Sequence, residues 1–287
     1  MSNPNRTIKL VTDSTADLPA ELRERYDVTM VPLNLHFGTE TYLEQVEMTS
    51  AEFFTKIGEP GVELPKSSQP SPGAFAEVYR KLGAEGASII SIHLSGGLSG
   101  TVQSAEIAKA MLPELDIHIV DTKSASMGTG LIVLEAARAR EEGLDAPAIV
   151  ARLHQTMERM WTLLTVDSLE WLHRNGRIGR AAALFGSMLN LKPLLEVAHD
   201  GIIRPVEKVR GRGKVISRMV EFCREKVPVG SKLCFAIMHG DCEDDARKLY
   251  DLLAVDYQVE FGHVGFIGPV IGTHTGPGTI GFIFHRA

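Results

Sequence analysis

A turn dense in glycine and hydroxyls, Leu94-Ser95-Gly96-Gly97-Leu98-Ser99-Gly100-Thr101, joins two segments of opposite periodicity. Residues 87–93 before it form an apolar, β-branched run that reads as a strand. After it, Ala105, Ala108, Met111 and Leu112 recur at helical spacing, which predicts an amphipathic helix over 102–112. The turn therefore opens on a helix N-terminus. Its three glycines carry no Cβ, so the backbone can approach a ligand closely and tolerate positive φ. Unpaired N–H groups and the helix dipole at that end favour an anion such as phosphate or carboxylate. A plainer role is also open, with Ser99 or Thr101 simply capping the helix.

The unit recurs along the first half of the chain. Residues 7–11 read as a strand ended by Thr12-Asp13-Ser14-Thr15-Ala16-Asp17, and a helix follows from Leu18-Pro19 to about Arg25. Residues 28–35 read as a second strand, bent or placed near an edge by Pro32. Thr49, with Glu52 three residues later, fits a capping box at a helix start. Residues 65–73 form a loop of hydroxyls stiffened by Pro70 and Pro72, with a helix beyond it to about Leu82. Residues 116–120 are the next strand, ending in Asp121-Thr122-Lys123-Ser124-Ala125-Ser126, and helices cover about 127–142 and 146–160. Strands alternating with helices predict a mainly parallel sheet with helices on both faces. Open parallel sheets bind ligands at the carboxyl ends of their strands. Three such ends carry polar clusters here, which favours one shared anion site over separate caps.

From Trp161 the pattern changes. Residues 162–166 read as a strand, 168–174 as a helix, and 181–190 as another after the break at Asn175-Gly176-Arg177-Ile178-Gly179-Arg180. Residues 191–197 and 201–209 read as a hairpin across His199-Asp200-Gly201, because Asp-Gly is a strong turn signal. Residues 213–226 and 241–253 are helical, with Asp241 as an N-cap, and 232–239, 255–264 and 279–284 are strands. The expected architecture is α/β: an α/β/α domain with a parallel sheet over 1–160 and an α+β domain over 161–287. The 287 residues, 44% hydrophobic and 23% charged, suffice for two such cores.

Composition narrows the function. A net charge of −6 argues against a nucleic-acid partner, which normally requires a basic face. Three cysteines without a CxxC pair suggest a reducing compartment, and the N-terminus shows no apolar signal segment. No apolar run approaches the ~18 residues needed to span a bilayer. A cytoplasmic protein is expected. Histidines and carboxylates show no metal-ligand spacing, there is no GxSxG elbow, and no Walker lysine is present. The final loop, 268–279, holds His274 among threonines and glycines, a setting in which imidazole could donate to an anion or shuttle a proton. A basic group comprises Arg174, Arg177 and Arg180, then Arg204, Lys208, Arg210, Arg212 and Lys214. It reads either as a solvated face or as a docking site for an acidic partner or phosphate.

Six stretches, in order, resemble the DegV family of bacterial fatty-acid-binding proteins, which includes the binding subunit of a two-component fatty acid kinase. They are residues 11–18, 66–73, 98–105, 121–128, 175–179 and 272–278, spread across nearly the whole chain. The resemblance implies two domains holding a long-chain fatty acid in an apolar tunnel between them. The carboxylate would be bound by the hydroxyls of Ser67 and Ser99, by the Ser99–Gly100 backbone and by His274, with no cofactor, no metal and no catalytic residue in this chain. It also implies that a separate ATP-binding subunit phosphorylates the bound carboxylate, with Arg177, Arg210 and Arg212 facing that partner or the transferred phosphate. Two departures from the family pattern are Ser67, where threonine is usual, and Gly96, where serine is common. Candidate tunnel residues include Phe185, Met188, Leu189, Phe266 and Ile267. The alternative is an autonomous hydrolase of acyl or phosphate esters using Ser99 and His274. A weaker one is a module binding a phosphorylated metabolite.

Overall fold

The computed structural model describes residues 7–185 and 191–287. The first half runs β1 (Ile8–Asp13), α1 (Ala20–Arg25), β2 (Val28–Val31), β3 (Asn34–Phe37), β4 (Glu40–Leu43) and α2 (Ser50–Gly58). It continues through β5 (Lys66–Ser68), α3 (Pro72–Gly83), β6 (Ser88–His93), α4 (Thr101–Ala110), β7 (Asp116–Asp121), α5 (Met127–Glu141) and α6 (Ala146–Glu158). Strands β2-β1-β6-β7 form a four-stranded, wholly parallel sheet. Helices α3 and α4 cover one face of it, and α5 and α6 the other. The doubly covered parallel sheet is thus as the alternation of periods predicts.

The strand expected over 28–35 is two strands. Pro32 has no N–H for a ladder, so the chain leaves the parallel sheet there, and β3 enters a small antiparallel sheet of order β4-β3-β5. The expected loop 65–73 supplies that sheet's third strand, three residues long and too short for any periodicity. The capping box on α2 forms as its sequence predicts: Glu52 N–H donates to Thr49 Oγ1 (3.3 Å), and Thr49 N–H donates to Glu52 Oε2 (2.8 Å).

The second half runs β8 (Met160–Thr165), α7 (Glu170–Arg174), β9 (Leu191–Val197), β10 (Ile203–Arg210), α8 (Arg212–Lys226), β11 (Lys232–His239), α9 (Glu243–Asp256), β12 (Gln258–Phe266), α10 (Pro269–Thr275) and β13 (Ile280–Arg286). Its six-stranded sheet has the order β10-β9-β8-β13-β11-β12, in which only β11 and β12 pair in parallel. The hairpin β9–β10 turns at Gly201, whose φ of 78° suits glycine.

Three expectations change here. The helix expected over 181–190 is a 3₁₀ turn, Gly179–Leu184, and residues 186–190 lie outside the described residues. Asp241 does not cap α9: it adopts φ 57°, and the N-cap position is Cys242. The glycine-dense loop 268–279 is largely helical as α10, entered through Pro269, whose missing N–H costs nothing in a first turn.

Helix α5 holds the two sheets together. All but three of its fifteen residues are buried, which is what a helix apolar on every side requires. Ile90 and Ile92 of the parallel sheet and Ala236, Met238 and Ile283 of the mixed sheet belong to one apolar cluster with Leu131 and Ile132. The far face of the mixed sheet packs under α8 and α9 through Phe235, Phe282 and Phe284. Among the described residues, no helix is long and apolar enough to cross a membrane.

Candidate functional site

A cavity lies between the inner face of the mixed sheet and the carboxyl ends of the parallel strands, with about 870 Å³ of space when its open mouth is counted. Leu33, Leu94, Leu164, Met238, Ile271 and Ile283 give it apolar walls. Its only charged lining side chain among the described residues is Arg177, and no carboxylate faces it.

Ser67 Oγ and His274 Nε2 lie 2.8 Å apart, across 207 residues of sequence. Ser67 is held in β5 opposite Leu35, and His274 sits on the last turn of α10. That short helix is braced at its start by two buried carboxyls. Val270 N–H donates to Glu44 Oε1 at 2.6 Å, Ser14 donates to the other Glu44 oxygen, and Ser126 donates to Asp17. Gly268 is needed there, since a Cβ would collide with the Asp17 carboxylate. Burial raises both acids above the ordinary carboxylate range, and the charge of Asp17 pushes Glu44 further the same way. At the other end, Asn175 Nδ2 donates to Thr273 O (2.9 Å). His274 is thus carried on a helix pinned from both sides.

Burial, reinforced by the positive charge of Arg177, pushes the His274 imidazole down to about 4, so the ring is neutral near pH 7. Its Nδ1 is buried without a hydrogen-bond partner among the described residues. Such a group costs about 1–3 kcal/mol if it stays unpaired, so the His274 ring, a lining residue of the cavity, is incompletely satisfied within the described residues.

Ser99 lines the same cavity. Its Oγ is 2.9 Å from Thr101 Oγ1 and accepts from Thr101 N–H at 3.3 Å, while Gly100 is the N-cap residue of α4. Ser99 therefore both steadies the helix start and lines the cavity, so the two readings of the turn are compatible. Its glycines serve close approach rather than positive φ, since none of the three adopts one. A Cβ on Gly97 would lie 2.7 Å from Gly201 O, and one on Gly100 would lie 2.7 Å from Gln69 Nε2. A Cβ on Gly96 would crowd Asp121 Oδ2 at 2.9 Å, and its N–H donates to that oxygen instead.

Of the three arginines singled out, Arg177 lines the cavity, with Nε on Leu98 O (3.2 Å) and Nη1 on Asn175 O (2.8 Å). Arg210 is exposed at the end of β10. Arg212 binds Asp245 (2.8 Å), Asp167 (3.3 Å) and Gly278 O, bracing α8 against the segment after α10. Much of the remaining basic group is neutralised, Arg174 by Glu170 and both Arg180 and Arg204 by Asp200. Of the candidate tunnel residues, Ile267 lines the cavity. Phe185 is exposed and stacks on His173 at 4.1 Å, and Phe266 packs on His239 at 4.4 Å, outside the lining. Met188 and Leu189 lie outside the described residues.

Sequence reasoning missed the acids that brace α10 and a second histidine chain. Asp13 Oδ2 meets His93 Nδ1 at 3.0 Å, His93 Nε2 meets Ser91 Oγ at 2.7 Å, and Ser91 Oγ meets Tyr79 Oη at 2.8 Å. The available signal was the polar alternation of Ser91 and His93 inside an otherwise apolar strand. Among the described residues, no group of three or more His, Cys, Asp or Glu could hold a metal.

Comparison with known proteins places the whole chain. Residues 7–287 match the family model described as "Uncharacterised protein, DegV family". The chain is 37% identical over 276 residues to protein DegV of Bacillus subtilis, covering 96% of this chain and 97% of that one. A fatty-acid-binding DegV family protein of Thermus thermophilus superposes with a TM-score of 0.92 at 39% identity, covering 98% and 100% of the two chains. The crystal structure of Bacillus subtilis DegV, a fatty acid binding protein, superposes with a TM-score of 0.90 at 34% identity, covering 99% and 100%.

Proposed function

This chain belongs to the DegV family, and from that premise we propose that it binds a long-chain fatty acid in the cavity between residues 1–160 and 161–287. One observation carries the reading: an apolar cavity whose wall holds a serine–histidine pair and an arginine and, among the described residues, no carboxylate. The carboxylate is received by the hydroxyl of Ser99, the Gly100 backbone N–H and the Ser67–His274 pair, which has one proton left to donate once the two are bonded to each other. A neutral imidazole suits this role, because it donates one hydrogen bond without adding a charge that burial would penalise. The acyl chain lies on Leu164, Met238 and Ile283, where each buried CH₂ contributes about 0.8 kcal/mol. The tail thus supplies most of the affinity, and the head-group contacts set its direction.

The chain's own role is to hold and present. A separate ATP-binding kinase subunit phosphorylates the carboxylate, with Arg177 beside the head group, exposed Arg210 toward the partner, and Arg212 bracing that surface. Three free cysteines suit the reducing cytoplasm as the setting. The hydrolase alternative, with Ser99 and His274, has no supporting observation: Ser99 Oγ is bonded to Thr101 while His274 Nε2 meets Ser67, and among the described residues no carboxylate orients His274 Nδ1.

Native mass spectrometry of the purified protein tests the binding. A single adduct with the mass of a long-chain fatty acid is expected, and a wholly ligand-free mass after mild desalting overturns the reading. With an ATP-binding subunit added, acyl phosphate should form. Arg210→Glu should slow that step at least about tenfold while the bound fatty acid is unchanged. Acyl phosphate formed from ATP by this chain alone would contradict the division of labour.

A further inference from the structure

The deep wall of the cavity is closed by two hydroxyls. α10 lies beyond the end of the mixed sheet where Ile280 pairs with Thr165, and Ile283 pairs with Thr162 three residues further in, roughly 10 Å along the strands. There Thr162 Oγ1 and Ser124 Oγ lie 2.8 Å apart, both buried. Behind them is a second space, an open cleft of about 780 Å³ lined by Lys123, His154, Met157, Glu158, Met160 and His199. Thr162 and Val197 line both spaces, and Ser124 lines the cleft. Thr162 and Val197 are thus the residues that the acyl cavity and the cleft share.

The surrounding chain is shaped to this pair. A Cβ on Gly128, in the first turn of α5, would collide with Ser124 Oγ and lie 3.4 Å from Thr162 Oγ1. The turn after β7, the start of α5 and β8 therefore converge on a single hydrogen bond, and any other residue at 128 would displace it. Elsewhere the cavity's inner wall is aliphatic, Leu164, Met238 and Ile283, which a methyl terminus can meet without leaving a polar group unpaired. At Thr162 the two hydroxyls satisfy each other, so the wall stays closed without aliphatic packing.

We propose that the Ser124–Thr162 pair is the chain-length stop of the acyl cavity, and that opening it lets a longer chain run on into the cleft beside His154 and Met157. The inference rests on the fatty-acid reading above and adds to it the residues that choose the ligand's length. Thr162 Oγ1 and Cγ2 fill the gap sterically, and the bond to Ser124 holds that rotamer. The methionines and Val197 on the cleft side give an emerging chain some apolar cover.

Competition is the test: an equimolar mixture of saturated fatty acids of roughly twelve to twenty carbons is offered to the full-length protein, and the retained acids are extracted and profiled. Thr162→Ala should move the retained mixture toward acids longer by about two carbons, since each further buried CH₂ tightens binding by up to about fourfold. Gly128→Ala, which displaces Ser124 without altering the cavity's own lining, should move it the same way. Thr162→Leu should move it toward shorter acids. Melting curves show which variants fold, and any one folded variant of the three suffices. Wild-type and folded variant proteins that all carry fatty acid with the same length profile overturn this inference alone. A wild-type protein that retains no fatty acid overturns the proposed function and this inference with it.

Discussion

Two histidines, fully buried His93 and half-buried His274, each sit beside a serine hydroxyl, yet they do different work. His93 is fully enclosed, with Asp13 on Nδ1, Ser91 on Nε2 and the edge of Phe75 at 5.0 Å from its ring centre. Every polar atom of that chain has a partner inside the protein. His274 has Ser67 on Nε2 and, among the described residues, no partner on Nδ1, and the residue lines a cavity. A histidine whose hydrogen bonds are complete belongs to the scaffold, because a ligand could add nothing to it. One incompletely satisfied in a cavity wall leaves its hydrogen bonding open to rearrange around a ligand.

That contrast implies opposite costs for the two sites. His93→Ala should lose about 3–5 kcal/mol of unfolding free energy in urea, since it opens a core cavity and leaves the Ser91 hydroxyl and one side of the Asp13 carboxylate without the ring they bond. A loss below about 1 kcal/mol would show that the network is dispensable and the contrast false. At His274 the larger effect is one of pH. The folded ring titrates at about 4 against 6.5 when unfolded, so the unfolded chain binds the extra proton. Its neutral form therefore supports the fold above pH 6.5, and that support is lost as pH falls toward 4, by at most about 3 kcal/mol. The stability difference between wild type and His274→Asn should change over that window and stay level above pH 7. A difference independent of pH from 4 to 7 would contradict the neutral-ring assignment.

Smaller effects belong to binding. Ser67→Ala should weaken fatty-acid affinity about tenfold by calorimetry, and should cost about 1 kcal/mol of stability in the ligand-free protein, because His274 Nε2 loses its partner. An unchanged affinity beside that stability loss would make Ser67 a scaffold residue like Ser91. Ser99→Ala should cost about fivefold, less than Ser67→Ala because the Gly100 backbone donor remains. Least of all, Ser67→Thr should tighten binding about twofold, since a β-branched side chain on a strand has fewer χ1 rotamers to lose.

Much of this was legible in the chain itself, for identifiable reasons. The parallel sheet follows from repeated strand–turn–helix units, and the α2 cap from Thr49 and Glu52, both local signals. Ser67, Ser99, Arg177 and His274 were singled out, and all four line one cavity. What stayed hidden was pairing at long range. The bond between Ser67 and His274 spans 207 residues, and no periodicity reports it. The α10 helix was hidden by its own glycines, since its stability comes from Glu44 and Asp17 at its start and not from helix propensity. β5 was hidden by its length, because three residues of strand are indistinguishable from a hydroxyl-rich loop. Arg212, grouped by sequence with a docking surface, is held in an ion-pair network that only the fold reveals.

The claim underlying all of these outcomes is that the half-satisfied histidine end of the cavity receives a carboxylate. A crystal structure of the protein with palmitate tests it most directly. The account predicts one fatty acid in the cavity, its carboxylate within about 3.2 Å of Ser67 Oγ and Ser99 Oγ, and its tail running along Leu164 and Ile283 toward Thr162. A ligand bound the other way round, carboxylate against Thr162 and tail toward His274, would contradict it.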